Sequence, residues 1–183
     1  AQAEQEARFR SLVQHATDVV TVVDAAGTVA YVSPALRRVL GLPLPDLSPG
    51  RAPRFTAFLH PDDHAAAAHF LDAVVAGGRE HVSAAVVWRA RHADGSWRHI
   101  ETTATNLLDD PTVDGVVLNW RDVTERLRLE EELVHRALHD PLTGLANRTL
   151  LRDRAEHALA LSSRHPEGTR TVAVLLVDID DFQ

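Results

Sequence analysis

The order in which the hydrophobic period changes is the feature that most limits what this chain can fold into. Residues 18–33, DVVTVVDAAGTVAYVS, hold two β-branched runs on either side of Asp24-Ala25-Ala26-Gly27, which reads as a hairpin turn. Ser33-Pro34 then sets a cap residue and a first-turn proline before the short helix ALRRVL, which stops at Gly41. Residues 42–54 carry four prolines and one glycine and read as a loop with short helical turns. His60-Pro61-Asp62-Asp63 opens the next helix, because proline is tolerated early and the two acids suit the positive end of the helix dipole. That helix runs through AAAAHFLDAVVA and stops at Gly77-Gly78. Three strand patterns follow, at 81–92, 96–108 and 113–124, the first two joined by an Ala93-Asp94-Gly95 turn. Two strands, then helices, then three strands predict an α+β fold: one five-stranded antiparallel sheet with helices on one face.

Outside that block the period is helical. Phe9, Leu12, Val13 and Ala16 form an apolar stripe that predicts a helix over 3–16. TERLRLEEELVHRALH, from Thr124, predicts another, which Pro141 limits. Leu127 and Val134 lie seven apart, with Val123, Ala137 and Leu138 near the same seam and Glu130 interrupting it. This imperfect heptad fits a parallel coiled-coil dimer, or one amphipathic helix packed on its own domain. Asn147–His165 reads as a further helix, and TVAVLLVDI (171–179) as a strand buried on both faces.

Composition narrows the function classes. The 183 residues are 45% hydrophobic and 25% charged, enough for one full domain and a remainder. A net charge of −7 with no basic block makes nucleic acid and anionic membrane poor partners. Cysteine is absent, which removes disulfides, thiolate metal sites and a cysteinyl-flavin photosensor. No apolar run is long enough to span a bilayer, so the expected compartment is the cytoplasm. The start without methionine and the end on an apolar run are those expected of a segment of a longer protein.

Two segments carry resemblances. Residues 1 to about 125 resemble a PAS domain in element order, in the HPDD helix start, in the ADGSWRHIE hairpin and in the closing RDVTER. The last is similar to the Asp-x-Thr motif that joins the final PAS strand to an output helix, which makes Asp122 and Thr124 the signal-relay residues. Thr124 as a plain helix cap, with Asp122 making polar contacts, is the simpler reading of the same pair. HDPLTGLANRTLL followed by VAVLLVDIDDFQ looks like the start of a GGDEF diguanylate cyclase domain, over residues 139–183. The resemblances divide the chain into a PAS sensor with its N-terminal helix (1–123), a signalling linker helix (124–138) and the truncated start of the GGDEF domain (139–183). The family's signature Gly-Gly-(Asp/Glu)-Glu-Phe turn lies beyond residue 183.

The GGDEF resemblance implies that two GTP molecules are joined into cyclic di-GMP, with Mg²⁺ neutralising charge at the phosphates. By that resemblance Asp178 and the Ile179 carbonyl hold the metal, and the backbone amides of Asp181 and Phe182 meet phosphate. A solvated acidic strand end is the plain reading of Asp178, Asp180 and Asp181. Gln183 stands where the family commonly has lysine, so a degenerate GGDEF scaffold, with the PAS domain acting as a dimerisation or ligand-binding module, is the alternative.

The PAS ligand is not named by these residues, and a core that holds none is an equal reading. His64 and His69 lie on the HPDD helix where haem-binding PAS domains place their ligand, so His69 is the haem candidate, against the plainer reading of a packed or solvated histidine. Trp88, Trp97 and Trp120 read as core or interface residues. A phosphoacceptor role for His135 or His139 conflicts with the Asp-Pro-Leu-Thr-Gly-Leu that follows, which would end a kinase dimerisation helix. The expected assembly is a homodimer through the PAS domain and linker helix.

Overall fold

The computed structural model describes residues 18–78, 81–163, 173–175 and 177. The chain divides into two compact units, Ala1–Leu127 and Arg128–Gln183. The helix expected over 3–16 lies outside the described residues.

The first unit is built on five strands: β1 (Val19–Val23), β2 (Val29–Val32), β3 (Val86–Arg91), β4 (Trp97–Leu107) and β5 (Gly115–Asp122). They form one sheet in the order β2-β1-β5-β4-β3, with every neighbouring pair antiparallel. Between β2 and β3 lie α1 (Ala35–Val39), a 3₁₀ turn at Phe55–Phe58, a second at Pro61–Asp63, and α2 (His64–Ala76). The α+β arrangement is the one the period changes predict.

Alternation decides which face of the sheet is covered. Val19, Thr21 and Val23 on β1, Ile100, Thr102, Ala104 and Asn106 on β4, and Val116, Leu118 and Trp120 on β5 are all buried. The apolar ones among them meet Leu36 and Leu40 from the α1 region, Phe55 and Leu59 around the first 3₁₀ turn, and Ala67, Leu71 and Val74 of α2 in one core. Burying side chains of this size contributes roughly 1.5–3 kcal/mol each. Asn106 is buried at the rim, where its Nδ2 donates to the carbonyls of Val74 and Val75 and fastens the end of α2 to β4.

The turns follow local chemistry. Asp24 Oδ1 accepts from the amides of Ala26 and Thr28, while Gly27 takes φ +83, open to glycine at no steric cost. Ser33 departs from its expected role. Its hydroxyl accepts from Val20 N on β1, and α1 has no side-chain cap. The third strand pattern starts late, at Val86 rather than 81. Ser83 Oγ takes the Ala104 amide at 2.9 Å, so a side chain stands in for part of the ladder, and Val82 contributes only an isolated bridge to Thr105.

Gly115 opens β5 where the sheet backbones crowd. A Cβ there would stand 2.8 Å from the Val23 carbonyl oxygen and 2.6 Å from Val22 Cγ1. The Gly115→Ala variant is expected to lose about 1–3 kcal/mol of stability, as overpacking against backbone does. Urea denaturation checks it, and an unchanged midpoint would show that β1 gives way freely.

Candidate functional site

The exit from the sheet is a joint built from several hydrogen bonds. β5 ends at Asp122, opposite Ile100 on β4. Val123 continues the ladder one step, its amide donating to the His99 carbonyl at 2.9 Å. The chain then turns into α3 (Thr124–Leu138). Asp122 Oδ1 accepts from the Thr124 amide at 2.9 Å, and Thr124 Oγ1 accepts from the His99 amide at 2.8 Å. Asp122 and Thr124 are therefore brought together: Asp122 makes a polar contact at the junction, as expected, whereas the Thr124 hydroxyl goes to β4 instead of capping the helix. Asp122 takes an amide of the first helical turn, which has no partner within the helix. Thr124 spends its hydroxyl on β4 and anchors the helix to the sheet. One turn on, Arg126 Nη2 donates to Glu101 Oε1 on β4 at 2.8 Å, and Arg121 makes a bidentate pair with Asp18 ahead of β1. Val123, placed on the coiled-coil seam by its spacing, is instead buried at the sheet exit.

The second joint is the HPDD start of α2. His60 Nδ1 accepts from the Asp62 amide, and the His60 amide donates to the Arg89 carbonyl on β3 at 2.7 Å. Asp63 completes the clasp: its carboxylate takes the Arg89 amide at 3.0 Å, Nε at 3.1 Å and Nη2 at 2.6 Å. The hydrogen bond from the Arg89 side chain holds the Asp63 carboxyl below the usual carboxylate range, against a smaller opposing effect of burial. His69 is exposed on α2, away from the buried Ala67, Leu71 and Val74, so its position lends haem ligation no support. His64 is half-buried, with Nε2 3.2 Å from the Leu59 carbonyl.

The tryptophans divide as core and surface residues. Trp120 and Trp88 are buried and meet Phe58 and Phe70 edge-on, whereas Trp97 is exposed beside His60. Among the described residues, Trp88 Nε1, Trp120 Nε1 and Thr102 Oγ1 are buried without a hydrogen-bond partner. Trp120 and Thr102 face each other across β5 and β4. An indole N–H only donates, so whatever satisfies it brings an acceptor. Sequence patterning ranks these side chains as core and is blind to that demand.

In the second unit the HDPLTGLANR motif makes its own turn. Asp140 Oδ1 accepts from the Leu142 and Thr143 amides and the Thr143 hydroxyl, which hold its carboxyl low, the Thr143 amide first. Gly144 has φ +71. Asn147 caps α4 (Arg148–Ser163) by accepting from the amides of Thr149 and Leu150, and its Nδ2 donates to the Ala137 carbonyl. The motif thus works as a two-sided splice between the end of α3 and the start of α4. Asp178, Ile179, Asp181 and Phe182 lie outside the described residues. So does most of the strand expected over 171–179; its described residues, Ala173–Leu175 and Val177, are exposed and in no strand.

Comparison with known proteins agrees with this division. Residues 13–128 match the PAS fold family, and residues 137–183 match the diguanylate cyclase GGDEF domain. The chain belongs to the PAS fold family, with the opening part of a GGDEF domain following. Diguanylate cyclase DgcM of Escherichia coli is 37% identical over 93 residues, covering 50% of this chain and 21% of that protein. An uncharacterized protein, y4lL, of Sinorhizobium fredii is 32% identical over 190 residues, covering 98% of this chain and 22% of its own length. The chain therefore spans about a fifth of these relatives. Among solved structures, the PAS domain of an HTR-like protein from Haloarcula marismortui superposes with a TM-score of 0.51 at 22% identity, over 66% of this chain and 93% of that one. A domain of a sensory box histidine kinase/response regulator from Geobacter sulfurreducens gives 0.52 at 20%, over 67% and 97%. Both show the shared fold.

Two substitutions test the joints. Thr124→Val removes the acceptor of the His99 amide and is expected to cost roughly 1–2 kcal/mol in a denaturation experiment; a wild-type midpoint would mean that water replaces the hydroxyl without loss. Asp63→Asn is expected to lower Tm by about 5 °C near neutral pH. Because the folded pKa of Asp63 lies below its unfolded value, its contribution is present above the unfolded carboxylate range and disappears as pH falls through the folded value. The variant should therefore show the smaller stability loss on acidification below pH ~4; parallel curves would contradict the assignment.

Proposed function

We propose that this chain is the sensory and regulatory region of a GGDEF signalling protein, in which a PAS domain (1–123) acts through a linker helix (124–138) on a cyclase domain that begins within 139–183. The output is the joining of two GTP molecules into cyclic di-GMP. The observation that carries the reading is the sheet exit: His99, through its amide and carbonyl, and Glu101 of β4 hold Val123, Thr124 and Arg126, so a change in the sheet would be felt by the first turn of the helix.

Beyond that anchored turn, α3 has no buried residue, and Leu129, Leu133 and Val134 are 51%, 65% and 58% exposed. An apolar surface of this kind on a charged helix is suited to a second copy of the same helix. Pairing linker helices is a direct way to bring two cyclase domains together, as a reaction between two GTP molecules requires. Asp178 and the Ile179 carbonyl offer the hard oxygen donors that Mg²⁺ prefers. They would hold it, and it would supply charge neutralisation at the phosphates, while the Asp181 and Phe182 amides would orient those phosphates. No helix among the described residues is long and apolar enough to cross a membrane, and the cytoplasm, where GTP is available, is the compartment that fits.

The test is a longer chain carrying the complete GGDEF domain, assayed for cyclic di-GMP formation with GTP and Mg²⁺ and sized by light scattering over a concentration series. A dimer with measurable turnover is expected. A Leu133→Glu/Val134→Glu double variant should become monomeric and lose most of the turnover. Undiminished turnover in a strictly monomeric protein would overturn the reading.

A further inference from the structure

We propose that His135 and His139 form an open chelating site for a divalent transition-metal ion, with Zn²⁺ as the reference ion, at the C-terminal end of α3. The two residues are one helical turn apart and share a face, the spacing at which two imidazoles on a helix reach one ion. Their rings lie side by side, with centroids 4.2 Å apart and planes 9° from parallel, so one ring has to turn out of the stack for both nitrogen lone pairs to meet one ion. Neither is buried in a core: His135 is exposed, and His139, one residue past α3, is half-buried.

The hydrogen bonding prepares one donor atom. His139 Nδ1 lies 3.2 Å from the His135 carbonyl oxygen. A carbonyl only accepts, so the contact is a hydrogen bond when Nδ1 carries the proton. In the neutral ring that leaves the Nε2 lone pair outward, the arrangement found in metal-bound histidines whose other nitrogen donates to a backbone carbonyl. Neither ring nitrogen of His135 has a hydrogen-bond partner among the described residues. His60 shows the contrast: its Nδ1 already accepts from the Asp62 amide, so its neutral ring has no lone pair left to give.

Imidazole nitrogen suits Zn²⁺, Ni²⁺ and Cu²⁺ rather than Mg²⁺. No group of three or more potential ligands occurs among the described residues, so water fills the remaining positions and the ion stays exchangeable. Chelation would tie residues 135 and 139 across the last turn of α3, directly before the Asp140 turn, and stabilise that turn by mass action. The site is separate from the GTP-linked Mg²⁺ site and stands or falls independently of cyclase activity.

The experiment titrates the tag-free chain with ZnCl₂ near neutral pH by calorimetry, alongside H135Q and H139Q. H135Q leaves the carbonyl that His139 uses in place. The wild type is expected to take up one ion per chain at this site, and each variant to bind it roughly tenfold or more weakly with unchanged circular dichroism. Imidazole nitrogen NMR on the unsubstituted chain gives a second readout, in which Zn²⁺ should shift His135 and His139 together. Wild-type affinity in both variants, or ring signals from these two residues that do not respond to Zn²⁺, would overturn the proposal.

Discussion

The way the chain leaves the sheet depends on one residue, His99 on β4, through its amide and its carbonyl. Its carbonyl accepts from Val123 and its amide donates to Thr124 Oγ1, so the last step of the sheet ladder is also the first fixed point of α3. A backbone group that leaves a ladder unpaired at a half-buried position is costly. Here the cost is avoided by a side chain two residues beyond the strand, and that choice sets where the helix leaves the sheet. The Glu101–Arg126 pair adds a second point on the same strand. Arg126 is exposed and Glu101 half-buried, so the role of the pair is orientation more than stability.

The Asp63–Arg89 clasp does for the start of α2 what Thr124 does for α3. It joins a helix start to a strand through a backbone amide and a charged fork at once, a geometry that arginine provides and lysine does not. Between the two clasps lies the covered face of the sheet. Its aliphatic side chains pack in one core, and Trp88 Nε1, Trp120 Nε1 and Thr102 Oγ1 are buried there without a protein hydrogen-bond partner among the described residues.

How much of this was legible in the sequence follows from the range of each interaction. Local features read well: the Asp24–Gly27 and Ala93–Gly95 turns, the stop at Gly77-Gly78, the strand alternation and the limit at Pro141 all rest on residues a few positions apart. Ser33, Thr124 and Val123 each look locally like a helix-start or seam residue, but what holds each is distant: Val20 for Ser33, His99 for Thr124, the sheet exit for Val123. Arg89 gave no signal, since nothing near it in sequence announces a carboxylate 26 positions earlier. The spacing of His135 and His139 was visible, but the ring contact and the direction of the Nδ1 hydrogen bond required coordinates. Of the site residues, only Asp122 and Thr124 meet in the described structure. Asp178, Ile179, Asp181 and Phe182 rest on resemblance alone.

The central claim is that the sheet exit couples the PAS sheet to the linker helix, and residue-resolved amide hydrogen exchange on wild type and Thr124→Val tests it most directly. The account predicts slow exchange at the His99 amide in the wild type. In the variant, exchange at His99 and at the first-turn amides of α3 through Leu127 should quicken together. Faster exchange at His99 with an unaltered first turn of the helix would contradict it, because sheet and helix would then be neighbours without being coupled.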